Sequence, residues 1–245
     1  MNQQSVVLVT GAARRVGAAI ARHLHAAGFT VAIHYHRSAA DAEALADELN
    51  GLRADSAATF AGALEDDAAP AALVGAVLAR FGQLDGLVNN ASAFYPTPIG
   101  QTTPAHWDDL FAANARAPFF LAQAATPALR EARGAIVNIV DIYAERPLAG
   151  HTVYSMAKAA LVMLTQSLAK DLAPDIRVNA VAPGAILWPA SGKTDDAVET
   201  LIAKTPMARK GEPRDVAEAV RWLLMDAHYT TGQVIRVDGG RALNI

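Results

Sequence analysis

Ser5–Gly17 reads SVVLVTGAARRVG, and its two halves follow different patterns. Ser5–Val9 is a short, unbroken apolar run rich in β-branched residues, the pattern of a strand buried on both faces. Val16–Ala27 then sets Val16, Ala19, Ile20, His23, Leu24 and Ala27 at helical spacing, and Gly28 stops it. Between them, Thr10–Gly17 makes a strand-to-helix turn spaced TGx5G. Ala12 and Ala13 stand where a GxGxxG turn carries its middle glycine. Gly11 permits positive φ and lets a phosphate approach the backbone. The helix that follows opens with unpaired N–H groups and a partial positive charge. A plain strand-to-helix connection can carry the same glycines, but the position directly after a first buried strand is the context a dinucleotide requires.

From that turn the alternation continues to the other end of the chain. Strands are predicted at Thr30–Tyr35, Ala57–Ala61, Leu84–Asn89, Ala135–Val140, Ile176–Val181 and Val234–Val237. Helices are predicted at Ala39–Leu49, Pro70–Phe81, Pro104–Leu129, Thr152–Leu172, Asp195–Lys204 and Pro213–Met225, with Pro118 expected to kink or divide the long one. Repeated βαβ units imply an α/β fold, a doubly wound Rossmann-like parallel sheet with helices on both faces, in one domain spanning residues 1–245. Pro183–Lys193 is the one long irregular stretch, and a loop of that length in a compact domain is usually functional or mobile.

The end of the second strand distinguishes the two dinucleotides. An acidic residue there accepts from the 2′-hydroxyl of NAD, whereas the 2′-phosphate of NADP needs cations. The sequence is His34-Tyr-His36-Arg37-Ser38, with no acid before Asp41. Arg37, Ser38 and Arg14 can each bind phosphate oxygens, so the expected cofactor is NADP(H).

A second constellation lies at Tyr154-Ser-Met-Ala-Lys158. Four residues apart on a helix, the two side chains lie on one face, one turn apart. A free phenol has a pKa near ~10. An ammonium one turn away favours the phenolate, which makes Tyr154 a candidate general acid or base and Lys158 its tuner.

Composition narrows the remaining classes. Of 245 residues, 52% are hydrophobic and 18% charged, which supports a sizeable core. A net charge of −3 argues against non-specific nucleic-acid binding. With no cysteine and no HxxxH or HExxH among seven histidines, no disulfide, thiolate or metal site is expected. Neither a membrane span nor a signal segment is read, and the expected location is cytoplasmic.

TGx5G, Asn89-Asn90-Ala91, the Tyr154/Lys158 pair and Pro183-Gly184 occur in order over the whole chain, which is similar to the short-chain dehydrogenases/reductases. The chain further resembles their pteridine-reductase branch through Thr10–Arg15 (TGAARR), His34–Ala40 (HYHRSAA) and Asn89–Pro98 (NNASAFYPTP). Asp141 stands thirteen residues before Tyr154, where most relatives carry a catalytic Ser.

That resemblance implies catalytic roles for Asp141, Tyr154, Lys158 and Asn114, the last holding a relay water. It implies a cofactor site of Gly11, Arg14, Arg15, Val16, His36, Arg37, Ser38, Leu64, Asn90, Ala91, Ser92, Tyr154, Lys158, Pro183 and Gly184. A pterin would meet Arg15, Ser92, Phe94, Asp141 and Tyr154, with Phe94 facing the nicotinamide across the substrate. Trp188, in the irregular loop, is expected to border it. Ala63 replaces an Asp that contacts adenine in relatives, which leaves the backbone of Leu64. The implied activity is NADPH-dependent reduction of a dihydropteridine, dihydrobiopterin or dihydrofolate to the tetrahydro form. A ketone or 3-oxoacyl reductase and a non-catalytic NADP-binding sensor are the alternatives. The family also implies a homotetramer built on the Ala- and Leu-rich helices Pro104–Leu129 and Thr152–Leu172.

Overall fold

Strand β1 (Val6–Val9) is buried at all four positions because it lies inside a sheet covered on both faces. The computed structural model describes residues 5–186 and 200–244. Val7 and Val9 face one layer, with Ile20, Leu24, Leu45, Val216 and Val220, while Val6 and Leu8 face the other, with Leu73, Val77, Leu121 and Leu129. The period-two alternation of a strand thus feeds two separate cores. Each fully buried Val or Leu contributes about 2 kcal/mol.

The remaining strands are β2 (Thr30–Tyr35), β3 (Ala57–Ala61), β4 (Gly86–Asn89), β5 (Ala135–Ile139), β6 (Arg177–Pro183) and β7 (Val234–Val237). All pair in parallel, in the order β3-β2-β1-β4-β5-β6-β7. The chain runs outward from β1 to β3 and then returns to β1's other side as β4. The crevice at such a reversal, beyond the strands' C-terminal ends, is where ligands bind in sheets of this type. Here it lies between the Gly11 turn and Asn89-Asn90-Ala91.

Helices α1 (Arg15–Ala26), α2 (Ala39–Leu52), α3 (Ala69–Phe81), α4 (Pro104–Phe111), α5 (Ala117–Ala132), α6 (Thr152–Leu172) and α7 (Pro213–Met225) cover the sheet. Helix α2 runs three residues beyond its predicted end. The extra turn carries Asn50, whose amide brackets β3 by accepting from Ser56 N and Ala57 N and donating to Ala57 O. The predicted division of Pro104–Leu129 takes a specific form: α4 and α5 are joined by one π-helical turn, Ala112–Arg116. Pro118 has no N–H for the carbonyl of Asn114 four residues earlier, so the helix cannot close an ordinary turn there. The Ala117 N–H bonds to Ala112 O instead. Such insertions recur at functional sites. Of the predicted helix Asp195–Lys204, residues 195–199 lie outside the described part, and residues 200–203 are helical.

A buried polar chain fixes α6 over the sheet. Asn89 Nδ2 donates to Asn138 Oδ1 at 2.8 Å, Asn138 Nδ2 to Thr165 Oγ1 at 2.9 Å, and Thr165 Oγ1 to Leu161 O at 2.8 Å. The chain ties β4, β5 and α6 together, and so sets the position of the first turns of α6.

Candidate active site

The Gly11 turn is held by side chains from two neighbouring strands. Thr10 Oγ1 accepts from the N–H of Asn90 at 2.9 Å and of Ala91 at 3.0 Å. Asn90 Nδ2 donates back to Thr10 O at 2.8 Å and Gly11 O at 3.1 Å. Gly11 sits at φ +59°, and a Cβ there would stand 3.0 Å from Ala91 Cα. Gly17 is tighter: a Cβ would lie 2.3 Å from Gly11 O. Arg15 also occupies the left-handed region, at φ 54°. A non-glycine residue there costs about 1 kcal/mol, a strain commonly found at functional sites.

Helix α1 starts with no side-chain cap and no acidic residue in its first turn, which includes Val16. Its first N–H groups face the Gly11 turn without a competing anion. Between β1 and α1, Arg14 Nε donates to Asp41 Oδ2 of α2 at 2.7 Å. Arg14 is therefore engaged by Asp41, and Asp41 in turn has its charge compensated. Arg37 is exposed, with no ion pair among the described residues, and Ser38 follows it at the start of α2. His36 Nε2 stands 3.7 Å from Glu65. An uncapped helix start, a glycine turn at positive φ and a free guanidinium at the ribose end suit a dinucleotide.

The catalytic candidates converge at the C-terminal end of β5. Tyr154 Oη donates to Asp141 Oδ2 at 2.8 Å, and Asp141 Oδ1 accepts from the N–H of Tyr143 at 2.9 Å. Lys158, 2% exposed, donates to Ile139 O at 2.9 Å. The half-exposed ring of Phe94 stacks on His151 with centroids 4.8 Å apart, and meets Tyr154 edge-on at 4.7 Å. Ser92 Oγ donates to Asn114 Oδ1 at 2.7 Å.

Burial dominates the proton affinities here. It pushes the Asp141 carboxyl up, against the stabilising pull of the Tyr143 N–H, the Tyr154 O–H and the Lys158 charge. Burial also pushes Tyr154 well above the ordinary phenol value, aided by the charge and hydrogen bond of Asp141 and by Tyr143. Ser92 pulls the other way, but its proton is already engaged by Asn114. Lys158 is brought down to about 8 by burial, against an upward pull from Asp141.

These directions correct the expectation that Lys158 lowers the Tyr154 pKa. The Lys158 Nζ stands 5.8 Å from the Tyr154 ring centroid and donates to a main-chain carbonyl, whereas the carboxylate accepts the phenol's hydrogen bond directly. The site is thus a phenol and a carboxyl sharing a proton, with an ammonium beside them.

The other expected residues fall as follows. The amide of Asn114 lies on the π turn and gives its protons to Ala93 O and Leu110 O, both at 2.9 Å, so its side chain supports Ser92. Leu64 is buried in the connection after β3, which Arg116 clasps through Asp67 and Glu65 O. Pro183 ends β6, and Gly184 packs so closely that a Cβ would meet Asp238 at 2.7 Å. Trp188 lies outside the described residues.

Sequence reasoning passed over three residues. Thr10 anchors the turn from within the strand signal. His151 stacks on Phe94, and its place one helical turn before Tyr154 was the available clue. His34 joins the Gly11 N–H to the Gly62 carbonyl: Gly11 N donates to its Nδ1 at 3.2 Å, and its Nε2 faces Gly62 O at 3.1 Å.

The chain matches the family model described as enoyl-(acyl carrier protein) reductase over residues 11–242. It is 42% identical to pteridine reductase 1 of Leishmania tarentolae, over 97% of this chain and 96% of that protein. It is 37% identical to the 3-oxoacyl-(acyl-carrier-protein) reductase of Staphylococcus aureus, over 98% and 99% respectively. The corresponding reductase of Staphylococcus epidermidis is 36% identical over 95% and 97%. With a seven-stranded parallel sheet and relatives matched from end to end, the chain belongs to the short-chain dehydrogenase/reductase family of nicotinamide-dependent oxidoreductases.

Proposed function

We propose that the protein reduces a dihydropterin, such as dihydrobiopterin or dihydrofolate, to its tetrahydro form with NADPH. The observation that carries this reading is the Asp141 carboxyl, 2.8 Å from the Tyr154 hydroxyl, in place of a neutral hydroxyl. Reduction of a C=N bond adds hydride to carbon and a proton to nitrogen. A partly buried carboxyl with a raised pKa, hydrogen-bonded to a phenol, suits the supply of that proton. The 42% identity to a pteridine reductase supports the same substrate class.

Gly11, Arg15 and Val16 would hold the pyrophosphate, and His36, Arg37 and Ser38 the 2′-phosphate. The backbone of Leu64 would border the adenine. Asn90, Ala91, Ser92, Pro183 and Gly184 would line the path to the nicotinamide. The reduced nicotinamide, when bound, supplies the hydride. Tyr154 hands its hydroxyl proton to the ring nitrogen and regains one from Asp141. Lys158 would keep a positive charge beside the pair and would hold the ribose of a bound nicotinamide. Phe94 lies flat against the pterin, Asn114 orients Ser92, and Arg15 faces the ring's polar edge.

The 37% identity to 3-oxoacyl reductases favours a second reading, reduction of a ketone on an acyl chain. NADPH oxidation measured with dihydrobiopterin, dihydrofolate and acetoacetyl-coenzyme A separates the two. Turnover of the dihydropterins is expected, and selective turnover of the ketone would overturn the proposal. NADPH binding with no turnover of any of the three would instead point to a sensor.

We further propose a cytoplasmic homotetramer. Trp107, Phe119, Phe120 and Met163 are exposed on α4, α5 and α6, and a second copy would cover them. Light scattering tests this assembly. No helix among the described residues is long and apolar enough to cross a membrane.

A further inference from the structure

Helix α6 carries Tyr154 in its first turn, yet its own N-cap residue does not cap it. His151 occupies that position, its side chain accepts from no N–H of the helix start, and the first turn holds no acidic residue. The imidazole is engaged elsewhere: its Nδ1 faces Ala149 O at 3.0 Å, and its ring lies on Phe94. The first N–H groups of a helix have no partner within it, so an acceptor must come from outside.

Thr97 supplies that acceptor from a distant part of the chain. It is 1% exposed, and its Oγ1 accepts from the N–H of Val153 at 3.4 Å. Val153 is the second residue of α6, a position that an N-cap hydroxyl ordinarily serves. The backbone of Thr97 adds a second tie: its N–H donates to Gly150 O at 2.6 Å, and it pairs with His151 in an isolated parallel bridge. The same segment carries Phe94, whose half-exposed ring touches both His151 and Tyr154. Tyr95 anchors its other side, donating from its hydroxyl to Asp109 Oδ2 on α4 at 2.7 Å. The segment is thus fastened to α4 and to α6, and a shift of the α6 start relative to it changes how the Tyr154 hydroxyl meets the Phe94 face.

We propose that Thr97 is a positioning residue for the reduction: by capping α6 from outside, it keeps the Tyr154 hydroxyl aligned with the ring held against Phe94. The inference rests on the reading of Tyr154 as proton donor and Phe94 as substrate platform. Thr97 acts through the first turn of α6. Lys158 lies one turn farther on and is tied independently to Ile139 O, so the cofactor side of the helix does not depend on the cap.

The test compares the wild type with Thr97→Val, which keeps the shape and the backbone ties but removes the hydroxyl, and with Thr97→Ser, which keeps the hydroxyl. In Thr97→Val, amide hydrogen exchange over residues 152–155 is expected to quicken about fivefold, the effect of one lost cap on local opening. Its kcat for dihydrobiopterin should fall about fivefold or more while KM changes by less than about twofold, because the alignment of the hydroxyl counts in the transition state. NADPH affinity, read by fluorescence, should stay within about twofold. Thr97→Ser should return both exchange and kcat to within about twofold of wild type.

Unchanged exchange and unchanged kcat in Thr97→Val would overturn the proposal. So would a loss of NADPH affinity equal to the loss of kcat, with no recovery in Thr97→Ser, the mark of a general packing defect. If the wild type reduces acetoacetyl-coenzyme A and neither dihydropterin, the substrate reading falls by itself. The same three proteins are then compared on the ketone: a fivefold loss of kcat recovered by Ser supports the cap, and no loss overturns it.

Discussion

Acid should destabilise this protein through one buried histidine. His34 is 2% exposed and bonded on both nitrogens, to Gly11 N–H and Gly62 O. Since Nδ1 accepts, Nε2 carries the proton, and the folded state holds the ring neutral. Burial takes its pKa from 6.5 down to about 4. The folded pKa lies below the unfolded one, so between those values the unfolded chain binds more protons, and stability falls as pH falls through that window. At 1.36 kcal/mol per pKa unit, the loss relative to pH 7 is about 2 kcal/mol at pH 5 and about 3 kcal/mol at pH 4. The assay is urea unfolding at pH 7 and pH 5 for the wild type and His34→Gln, which cannot titrate. The variant should be less stable at pH 7 by about 1–2 kcal/mol from the lost hydrogen bonds. It should also lose about 2 kcal/mol less than the wild type on going to pH 5. Carboxylates and other histidines titrate in both proteins, so the double difference isolates His34. Equal losses in both proteins would refute the reasoning.

Arg37→Ala is expected to raise KM for NADPH about tenfold and leave KM for NADH nearly unchanged, measured as the ratio of the two kcat/KM values. Arg15→Gly should be about 1 kcal/mol more stable than Arg15→Ala in urea unfolding, because glycine relieves the left-handed φ while both remove the side chain. Gly17→Ala drives a methyl group into the carbonyl of Gly11 and should destabilise the fold by about 2 kcal/mol while weakening dinucleotide binding, read by unfolding and by NADPH fluorescence. Pterin reduction should slow as pH rises through the raised pKa of Asp141, because the carboxyl must carry the proton it passes on. That dependence should vanish from the pH profile of kcat/KM in Asp141→Asn.

The sheet and most of its helices were legible because their signals are local. β2, β3, β7, α6 and α7 have the predicted limits, each set by apolar periodicity and a flanking Gly, Pro or polar residue. Pro118 announced the break in the long helix, but the form of the break depended on which carbonyl lost its donor. The pairing of Tyr154 with Asp141 was implied by the family resemblance, which sets the catalytic position thirteen residues before the tyrosine. The partners of other site residues lie farther along the chain or across the sheet. Thr10 meets Asn90 eighty residues away, His34 meets Gly62 over twenty-eight, and Arg14 meets Asp41 over twenty-seven. Such pairs are created when strands β1, β2, β3 and β4 align, and no periodicity within one segment encodes them. The direction of the Tyr154 shift was misread for the same reason. Helical spacing puts Lys158 on the right face, but it says nothing of a carboxyl that arrives from β5.

That carboxyl also limits what a single substitution can accomplish. Lys158 is buried and Asp141 partly so, and each offsets part of the other's desolvation: the carboxylate pulls Lys158 up, and the ammonium pulls Asp141 down. Replacing Asp141 with Ser removes the acid that recharges Tyr154, and it also leaves an uncompensated buried ammonium whose pKa then falls further from about 8. Asp141→Ser is therefore expected to lose dihydropterin turnover more than NADPH binding, and equal losses of the two would argue for a structural role of the carboxyl. To stabilise the charged lysine again, a second group would have to accept from Nζ, where Ile139 O is now its sole hydrogen-bond partner among the described residues. The carboxyl and the ammonium are in this sense one unit, and their choice of substrate is set together.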